Sequence, residues 1–520
     1  MKANNWRIFY PLLLGIYPVA QLVGVNIGQM VLLDGLRTFL VAAIFVFVFY
    51  SLFCWRIQDE HKAALISVWF FLFFFYYGHV FNVVKGLSVF GMVFGRHRFI
   101  IPLWLLVFIL GGWLICKNAG NLHFSSRILN LVSIFPLVMS VSQIAVFEWR
   151  RDHYVNKNDQ ETLSSQVGFI AQNTQPPDIY YIILDSYARD DMLLRDYGLD
   201  ISDFIQQLDD NGFYVPRCSQ SNYGGTALSL SSSLNMNYLD QVLPPAVIAQ
   251  GSAESVTEFY LEMNKTINDS LVRQIFENLG YKMVSFPTDF WLTEWTDADY
   301  YIAGGTRPLD VLINFHRITD FEVLFLRTTF LRVFEEASAK WVGPNTTRIE
   351  TPEKHRADSV LFTLYELGYV PQNIPGPKFV FAHIMSPHSP FVFSPTGGFI
   401  VTGSKDPGYP NQVQYLNQRV ILLVQSIIAG SGVPPIIILQ SDHGLDNEVR
   451  LGNFMALYFP NSGSSVLYPN MTPVNIFRLV LNTYFGQTFP LLPDISYRSD
   501  SFTTYDPAQD PPYPCDAERD

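Results

Sequence analysis

The chain has 520 residues, of which 49% are hydrophobic and only 15% are charged. Its formal net charge of −12 argues against a nucleic-acid partner, because such partners select basic surfaces. The four cysteines include no Cys-x-x-Cys pair, so a structural zinc site made of cysteines is not expected.

The amino-terminal region, residues 1–148, contains five long apolar segments. Each has about the 20 residues that a helix needs to cross a bilayer. The segments are Ile8–Met30, Leu36–Trp55, Ala63–Val84, Phe99–Cys116 and Ile128–Phe147. We therefore predict a transmembrane domain of five helices. The segments carry almost no charge that would mark a transport pathway, which disfavours a transporter.

The distribution of positive charge predicts the orientation of this multi-pass integral membrane protein. With the amino terminus inside, six basic residues lie in the cytoplasmic pieces and four lie outside. The two sets are Lys2, Arg7, Arg56, Lys62, Lys117 and Arg127 inside, and Arg37, Lys85, Arg96 and Arg98 outside. An odd number of spans then places the remainder of the chain on the extracytoplasmic side.

The remainder divides into a polar linker (149–175), an α/β domain (176–500) and a polar, proline-rich tail (501–520). Five strands are predicted, at Asp178–Leu184, Tyr281–Phe286, Lys378–Ile384, Ile436–Leu439 and Phe454–Phe459. Helices are predicted at Asp203–Asp210, after Thr226, at Leu271–Leu279 with Asn268 as N-cap, and at Leu309–Phe334, Gln412–Ile428 and Val474–Phe485. This alternation predicts a mostly parallel, doubly wound sheet. Cys218 and Cys515 would be able to pair in an oxidising space.

Polar side chains follow three of these predicted strands. The run Ile436-Ile437-Ile438-Leu439 is followed by Ser441-Asp442-His443-Gly444, Asp185 follows Leu184, and His383 and His388 close the Lys378 strand. Since chemistry in such sheets lies beyond the carboxyl ends of the strands, these groups are expected to converge. A carboxylate oxygen beside an imidazole nitrogen suits a divalent metal.

Thr226 follows a glycine pair at a predicted helix start, where backbone N–H groups and the helix dipole favour an anion. A threonine hydroxyl needs a base or a metal to become a nucleophile. A metal held by Asp185, Asp442 and His443 would suit displacement at phosphorus, with His388 or His383 binding the phosphoryl oxygens or protonating the leaving alkoxide. Taken singly, Asp185 is equally a turn-capping residue and Thr226 an ordinary helix N-cap.

Four segments carry a resemblance to a known superfamily: IILDSYARDD, SNYGGTALSLSSSLN, FAHIMSPHSPF and IIILQSDHG. In this order they resemble the alkaline phosphatase/sulfatase superfamily. The five spans before them make the chain similar to lipoteichoic acid synthases and lipid A phosphoethanolamine transferases. The resemblance implies an alkaline phosphatase-like fold, Asp185, Thr226, Asp442 and His443 as ligands of one metal ion, zinc or manganese, Thr226 as nucleophile, and His383 and His388 as substrate contacts. No Cys- or Ser-x-Pro-x-Arg motif is present, which disfavours sulfate ester hydrolysis.

The residues and the resemblance together predict a membrane-bound, metal-dependent transferase. It would move a phospho-substituent of the phosphoglycerol or phosphoethanolamine type from a membrane lipid, through a covalent Thr226 intermediate, to a glycan or lipid of the cell envelope. One alternative is a sulfatase-like phosphodiesterase or other ester hydrolase. Another is a membrane-anchored binding protein whose site has lost its activity.

Overall fold

The computed structural model describes residues 8–27, 30, 32–89, 92–93, 95–117, 122–154, 176–243, 255–303, 318–334, 351–444, 450–461 and 463–497. Its contacts divide the chain into two compact units. The first, here called the helical unit, comprises Met1–Arg150 with Thr306–Pro352. The second, here called the α/β unit, comprises Arg151–Gly305 with Glu353–Asp520. The predicted linker and tail lie largely or wholly outside the described residues.

The helical unit begins with six apolar helices. They are α1 (Tyr10–Asn26), α2 (Leu32–Arg56), α3 (Glu60–Phe75), α4 (Tyr77–Val84), α5 (His97–Lys117) and α6 (His123–Tyr154), with a short hairpin of β1 (Ser88–Val89) and β2 (Met92–Val93) before α5. Within the described residues, three helices are long and apolar enough to cross a membrane: Gly35–Arg56, His97–Lys117 and His123–Trp149. A fourth span arises if α3 and α4, which are bent by 43° at their junction, count as one.

The predicted count of five spans is not confirmed, since the described residues contain three helices of sufficient length, or four if the bent pair counts as one. The first predicted segment, Ile8–Met30, forms a helix of only 17 residues. Its first backbone N–H groups, at Phe9 and Tyr10, donate to Asn130 Oδ1 of α6 at 3.1 and 3.0 Å. A helix start needs such partners when water is excluded.

A six-stranded sheet forms the centre of the α/β unit. Its strands are β3 (Ile179–Leu184), β4 (Lys282–Ser285), β5 (Tyr300–Tyr301), β6 (Lys378–Ile384), β9 (Ile436–Gln440) and β10 (Met455–Tyr458), arranged in the order β10-β9-β3-β6-β4-β5. The first neighbouring pair, β10 and β9, is antiparallel, and the other pairs are parallel. A separate antiparallel pair consists of β7 (Phe391–Phe393) and β8 (Phe399–Thr402).

Both faces of the sheet are buried, as the continuous apolar runs of β3 and β9 predict. Tyr180 and Ile182 of β3 belong to one hydrophobic core, whereas Tyr181 and Ile183 belong to the core on the opposite face. Helices cover both faces: they are Asp190–Tyr197, Ser202–Asp210, Thr226–Leu234, Leu239–Val242, Ser255–Asn268, Leu271–Asn278, Pro352–Asn373, Lys405–Gly430 and Ile476–Tyr484. The predicted mostly parallel, doubly wound sheet is present.

Several local predictions differ from the structure. Asn268 ends the helix Ser255–Asn268, and Ser270 is the N-cap of the next helix. The helices Ser255–Asn268 and Pro352–Asn373 were not predicted, because their apolar residues are interspersed with polar ones. Cys218 is disulfide-bonded, while Cys515 lies outside the described residues.

The segment 306–352 belongs to the helical unit, although the sequence placed all of 176–500 in one catalytic domain. Of the predicted helix Leu309–Phe334, the structure describes Asp320–Thr328, which begins with a capping box between Thr319 and Glu322. After this helix the Phe330 backbone N–H donates to the Phe74 carbonyl of α3 at 2.7 Å. The segment was predicted in the wrong unit because its contacts with the apolar helices cannot be inferred from an amphipathic pattern alone.

Candidate metal centre and active site

The carboxyl ends of three adjacent strands form the candidate site. In the register, Leu184 of β3 lies opposite Ile384 of β6, and Ile183 lies opposite both His383 and Gln440 of β9. Asp185 is therefore the first residue after β3, and Asp442 is the second after β9. Parallel pairing thus brings together groups that are about 200 to 260 residues apart in the chain.

Three side chains form a compact cluster of metal-ligand type. One ligand atom each from Asp185, Asp442 and His443 lies within 4.8 Å of the other two, and all three residues are buried. The structure thus brings together three residues, two aspartates and a histidine, that the sequence predicted to be metal ligands.

Asp185 is held by contacts to both of its carboxylate oxygens. Ser186 Oγ donates to Oδ1 at 2.8 Å, and His383 Nε2 lies 3.2 Å from Oδ2. Burial raises the pKa of the Asp185 carboxyl, but the charges of His388, His383 and His443 and the hydrogen bond with His383 outweigh burial. Its pKa therefore lies well below the ordinary value, and Asp185 is a carboxylate at neutral pH.

Asp442 is fully buried and divides its contacts between its two oxygens. Its Oδ1 accepts the backbone N–H of Ser186 at 3.0 Å, and its Oδ2 accepts the hydroxyl of Thr226 at 2.6 Å. Ser186 has a φ of 63°, in the left-handed region that non-glycine residues rarely adopt. This backbone contact fixes the carboxylate so that Oδ2 faces both Thr226 and His443.

His443 is oriented by the turn that follows it. Its Nδ1 lies 2.8 Å from the carbonyl oxygen of Gly444, which only accepts hydrogen bonds. Nδ1 therefore carries the proton, and the lone pair of Nε2 is left 3.4 Å from Asp442 Oδ2. A lone pair facing a carboxylate is unfavourable unless a cation or a proton lies between them, and the arrangement therefore suits a metal ligand.

Thr226 is the first residue of the helix Thr226–Leu234, with Gly225 as its N-cap. The first N–H groups of a helix and its dipole attract an anion, so a phosphoryl oxygen would be stabilised here. Unlike the residues Asp185 and Asp442, which are buried, Thr226 is partly exposed. The predicted nucleophile thus belongs to a partly exposed residue and has a buried carboxylate partner.

The two predicted substrate contacts differ in environment. His383 is buried, with Nδ1 2.9 Å from Thr293 Oγ1 and Nε2 directed at Asp185. His388 is half-buried, its Nδ1 lies 2.6 Å from the Ser389 carbonyl, and its backbone N–H donates to the Asp185 carbonyl at 3.1 Å. Because the Ser389 carbonyl fixes the proton on Nδ1, the Nε2 of His388 is the nitrogen available to a substrate.

Sequence reasoning missed three residues that hold this site. Ser186 and Ser441 adjoin predicted ligands: Ser441 Oγ donates to the His443 carbonyl at 2.5 Å, and the Tyr187 N–H donates to Ser441 Oγ at 2.8 Å. Their position beside Asp185 and Asp442 was a usable signal. Thr293, from the short helix Trp291–Thr293, is 90 residues from His383, and no sequence signal indicated that it contacts the site.

The donor set fits a divalent metal ion. Asp442 uses Oδ1 to accept the Ser186 N–H and directs Oδ2 at Thr226 Oγ1 and His443 Nε2. A carboxylate oxygen of Asp185 lies in the same cluster. Two buried carboxylates so close together are costly unless positive charge is added. Two oxygens, one imidazole nitrogen and a hydroxyl are ligands that zinc or manganese accepts.

No family model and no curated protein sequence matches this chain. Comparison with solved structures finds the integral membrane lipooligosaccharide phosphoethanolamine transferase A (EptA) of Neisseria meningitidis. It is 12% identical, with 92% of this chain and 94% of that chain covered and a TM-score of 0.35.

Two further matches concern soluble domains. The C-terminal periplasmic domain of Escherichia coli EptC, in complex with Zn, is 13% identical, with 60% of this chain and 83% of that chain covered and a TM-score of 0.32. An alkaline phosphatase superfamily protein of Vibrio parahaemolyticus is 12% identical, with 65% and 74% covered and a TM-score of 0.34. All three likenesses are distant, with identities of 12–13% and TM-scores of 0.32–0.35. The reaction is therefore inferred from the side chains of this chain.

Proposed function

We propose that this chain is a membrane-bound, metal-dependent transferase that moves a phospho-substituent from a lipid donor through a covalent intermediate on Thr226. The observation that carries the proposal is the 2.6 Å hydrogen bond from Thr226 Oγ1 to Asp442 Oδ2. It places the hydroxyl of a partly exposed residue against a buried carboxylate, at a helix start and beside a three-residue metal-ligand cluster.

The first step is attack of Thr226 Oγ1 on the phosphorus of the donor. Asp442 Oδ2 accepts the hydroxyl proton, which the existing hydrogen bond already directs at it. A divalent ion bound by Asp185, Asp442, His443 and Thr226, proposed to be zinc or manganese, would polarise the hydroxyl and neutralise charge on the phosphoryl oxygens. The helix N-terminus supplies N–H donors to the same oxygens.

The leaving group is the lipid alkoxide. As the bond from Thr226 Oγ1 to phosphorus forms, the bond from phosphorus to the alkoxide oxygen breaks. That oxygen takes the Nε2 proton of a His388 imidazolium, which leaves His388 neutral with its remaining proton on Nδ1. His388 is suited to this because it is half-buried and its other ring nitrogen is held by Ser389. His383, held by Thr293 and Asp185, is suited to positioning instead of proton transfer.

In the second step an acceptor hydroxyl attacks the phospho-threonine. His388 removes the acceptor proton, the bond from phosphorus to Thr226 Oγ1 breaks, and the threonine oxygen regains the proton held on Asp442. Water as the acceptor gives the hydrolase alternative. The three or four apolar helices of the helical unit support a lipid donor, because one span suffices for anchoring.

We also propose that the α/β unit is extracytoplasmic. The disulfide at Cys218 supports this location, because disulfides persist in oxidising compartments. The proposed acceptor is accordingly a glycan or lipid of the cell envelope.

The test is the intact mass of the purified protein after incubation with a membrane lipid extract. We expect a mass increment equal to the transferred group, located by fragmentation on Thr226. Thr226→Ser, which keeps the hydroxyl, should retain the adduct, whereas Thr226→Ala should lose both adduct and turnover. An adduct of equal yield on Thr226→Ala, or turnover by that variant, would refute the covalent mechanism.

Adding acceptors separates transferase from hydrolase. A transferase should release product to a sugar or glycerol-type hydroxyl at the expense of water. A product ratio that no such acceptor changes would favour the hydrolase, with the same Thr226 intermediate.

A further inference from the structure

The helical unit contains a cavity of about 260 Å³ that has no part in the reaction described above. It is lined mainly by apolar side chains of α2, α3 and the segment 318–334. Among them are Val41, Ala42, Phe45, Phe325 and Leu331. Every lining residue belongs to the helical unit.

The wall formed by the segment 318–334 is fixed by specific contacts. The backbone hydrogen bond between Phe330 and Phe74 holds one end. At the other end, Nε and Nη2 of Arg37 in α2 donate hydrogen bonds to the Glu322 carboxylate. Both charged side chains are largely buried. A buried, doubly hydrogen-bonded ion pair resists separation, because parting it leaves an unpaired charge. The cavity is therefore a built feature of the unit.

One polar atom of the lining has no partner among the described residues. Thr38 is only 4% exposed, and its Oγ1 makes no hydrogen bond there. Leaving a buried hydroxyl unpaired is costly, so a ligand oxygen that accepts its proton would be favoured at this position. The ligand thus needs an apolar body and at least one acceptor oxygen.

Two side chains of the cavity lining are exposed, which marks the mouth of the cavity, and one of them belongs to the exposed apolar surface of α2. Val41 lines the cavity and is 53% exposed, and Leu331 is 39% exposed. Neighbouring side chains on α2, including Leu40, Ile44 and Phe47, are also large, apolar and exposed, as in a helix that contacts lipid. Acyl chains are the apolar molecules available at such a surface.

We infer that this cavity binds one acyl chain of a membrane glycerolipid, whose ester carbonyl accepts a hydrogen bond from Thr38 Oγ1. The apolar lining accounts for the chain and the unpartnered hydroxyl accounts for the ester. This site does not depend on the phospho-transfer proposed above, and it is tested by binding alone.

The experiment uses full-length protein in lipid nanodiscs that contain phosphatidylglycerol with a photoactivatable diazirine on one acyl chain. We expect labelling concentrated on peptides that contain Val41 and Leu331. Val41→Trp fills the mouth, and displacing two methylene groups from the cavity lowers affinity about tenfold. The matched control is Val48→Trp, which is seven residues along the same helix, 51% exposed and outside the cavity lining. The Val48→Trp variant should be photolabelled at these peptides to the same extent as wild type.

A second comparison tests the hydroxyl. Wild type and Thr38→Ser should label more strongly with the ester lipid than with its ether-linked analogue, by about threefold for one hydrogen bond. Thr38→Val, which keeps the shape, should lose that preference. An unchanged ester preference in Thr38→Val would overturn the role of Thr38.

The remaining outcomes are equally decisive. Labelling of Val41→Trp equal to that of Val48→Trp, or crosslinks from these peptides to a second copy of the chain, would overturn the lipid site. Thr226→Ala should label like wild type. Cavity labelling without any Thr226 adduct would therefore count against the transferase alone, and an adduct without cavity labelling would count against the lipid site alone.

Discussion

At the scale of single residues, the site depends on the different partners of the two carboxylate oxygens of Asp442. Oδ1 faces the protein through Ser186, and Oδ2 faces the cluster and Thr226. The sequence predicted Asp442, His443, Asp185 and Thr226 because each follows a recognisable strand end or helix start. It did not predict Thr293 or the left-handed backbone of Ser186, because both depend on contacts between distant segments.

Asp442→Asn is expected to lose the metal without unfolding the α/β unit. The amide oxygen still accepts the Ser186 N–H, and one buried negative charge is removed. Elemental analysis should show at least about 100-fold weaker metal binding, since loss of even an outer-shell partner costs 10–100-fold. Without metal, the unfolding temperature should equal or exceed that of wild type.

The control for this variant is Asp178→Asn, at the amino end of the sheet. Asp178 pairs with the buried Lys378 at 2.6 Å. Breaking that pair should cost roughly 3–5 kcal/mol of unfolding free energy, because it leaves the buried charge of Lys378 unpaired, while metal content stays at the wild-type level. Full metal occupancy in Asp442→Asn would refute its assignment as a ligand.

His388→Ala is expected to slow transfer from a natural lipid ester by about 10²–10⁴-fold, as for other general acids. The defect should be much smaller with a p-nitrophenyl ester, because p-nitrophenolate leaves without a proton. Steady-state rates on the two substrates give the comparison within one variant. Equal impairment on both would show that His388 binds the phosphoryl group instead of protonating the leaving oxygen.

At the scale of secondary-structure elements, parallel pairing of β3, β6 and β9 concentrates chemistry at one edge of the sheet. Short β-branched runs such as Ile436–Gln440 were sufficient to predict these strands. The antiparallel direction of β10 was not predicted, because an apolar run does not encode its direction. The turn after β9 matters most, since it sets the tautomer of His443 through the Gly444 carbonyl.

Gly444→Ala is expected to disturb this turn. An added Cβ would lie 2.3 Å from the Gly452 carbonyl oxygen, so one of the two backbone segments must move. We expect a loss of about 1–3 kcal/mol in unfolding free energy, as for other overpacked sites, together with weaker metal binding. Thermal unfolding and elemental analysis measure both effects.

The matched variant is Gly225→Ala, at the N-cap before Thr226. Among the described residues, no heavy atom beyond those of its chain neighbours lies within 4 Å of the added Cβ, so metal content and unfolding temperature should stay near wild-type values. If the two variants behave alike, the backbone approach at Gly444 does not control the metal site.

At the scale of the whole molecule, the chain passes between its two units three times, near residues 150, 305 and 352. The sequence suggested a single passage, through the linker 149–175. It could not show the return of 318–334, whose amphipathic pattern would equally fit a helix on the sheet. Labelling one site in each unit tests on which side of the membrane each site lies.

Ser404→Cys, in a chain whose free Cys54 and Cys116 are replaced by alanine, is expected to react with a membrane-impermeant maleimide on intact cells. Ser404 is exposed at the start of the helix Lys405–Gly430. Gln58→Cys, exposed between α2 and α3, should react only after lysis. Reaction of Gln58→Cys but not Ser404→Cys before lysis would reverse the proposed orientation.

The triple passage also has a consequence for proteolysis. Many membrane-anchored ectodomains are shed when a protease cuts one exposed stalk. Here a single cut in the predicted linker 149–175 leaves the α/β unit joined to the helical unit through the two chain connections at either end of 306–352. Shedding therefore requires cleavage at three places, so this protein is expected to resist release from the membrane after one nick.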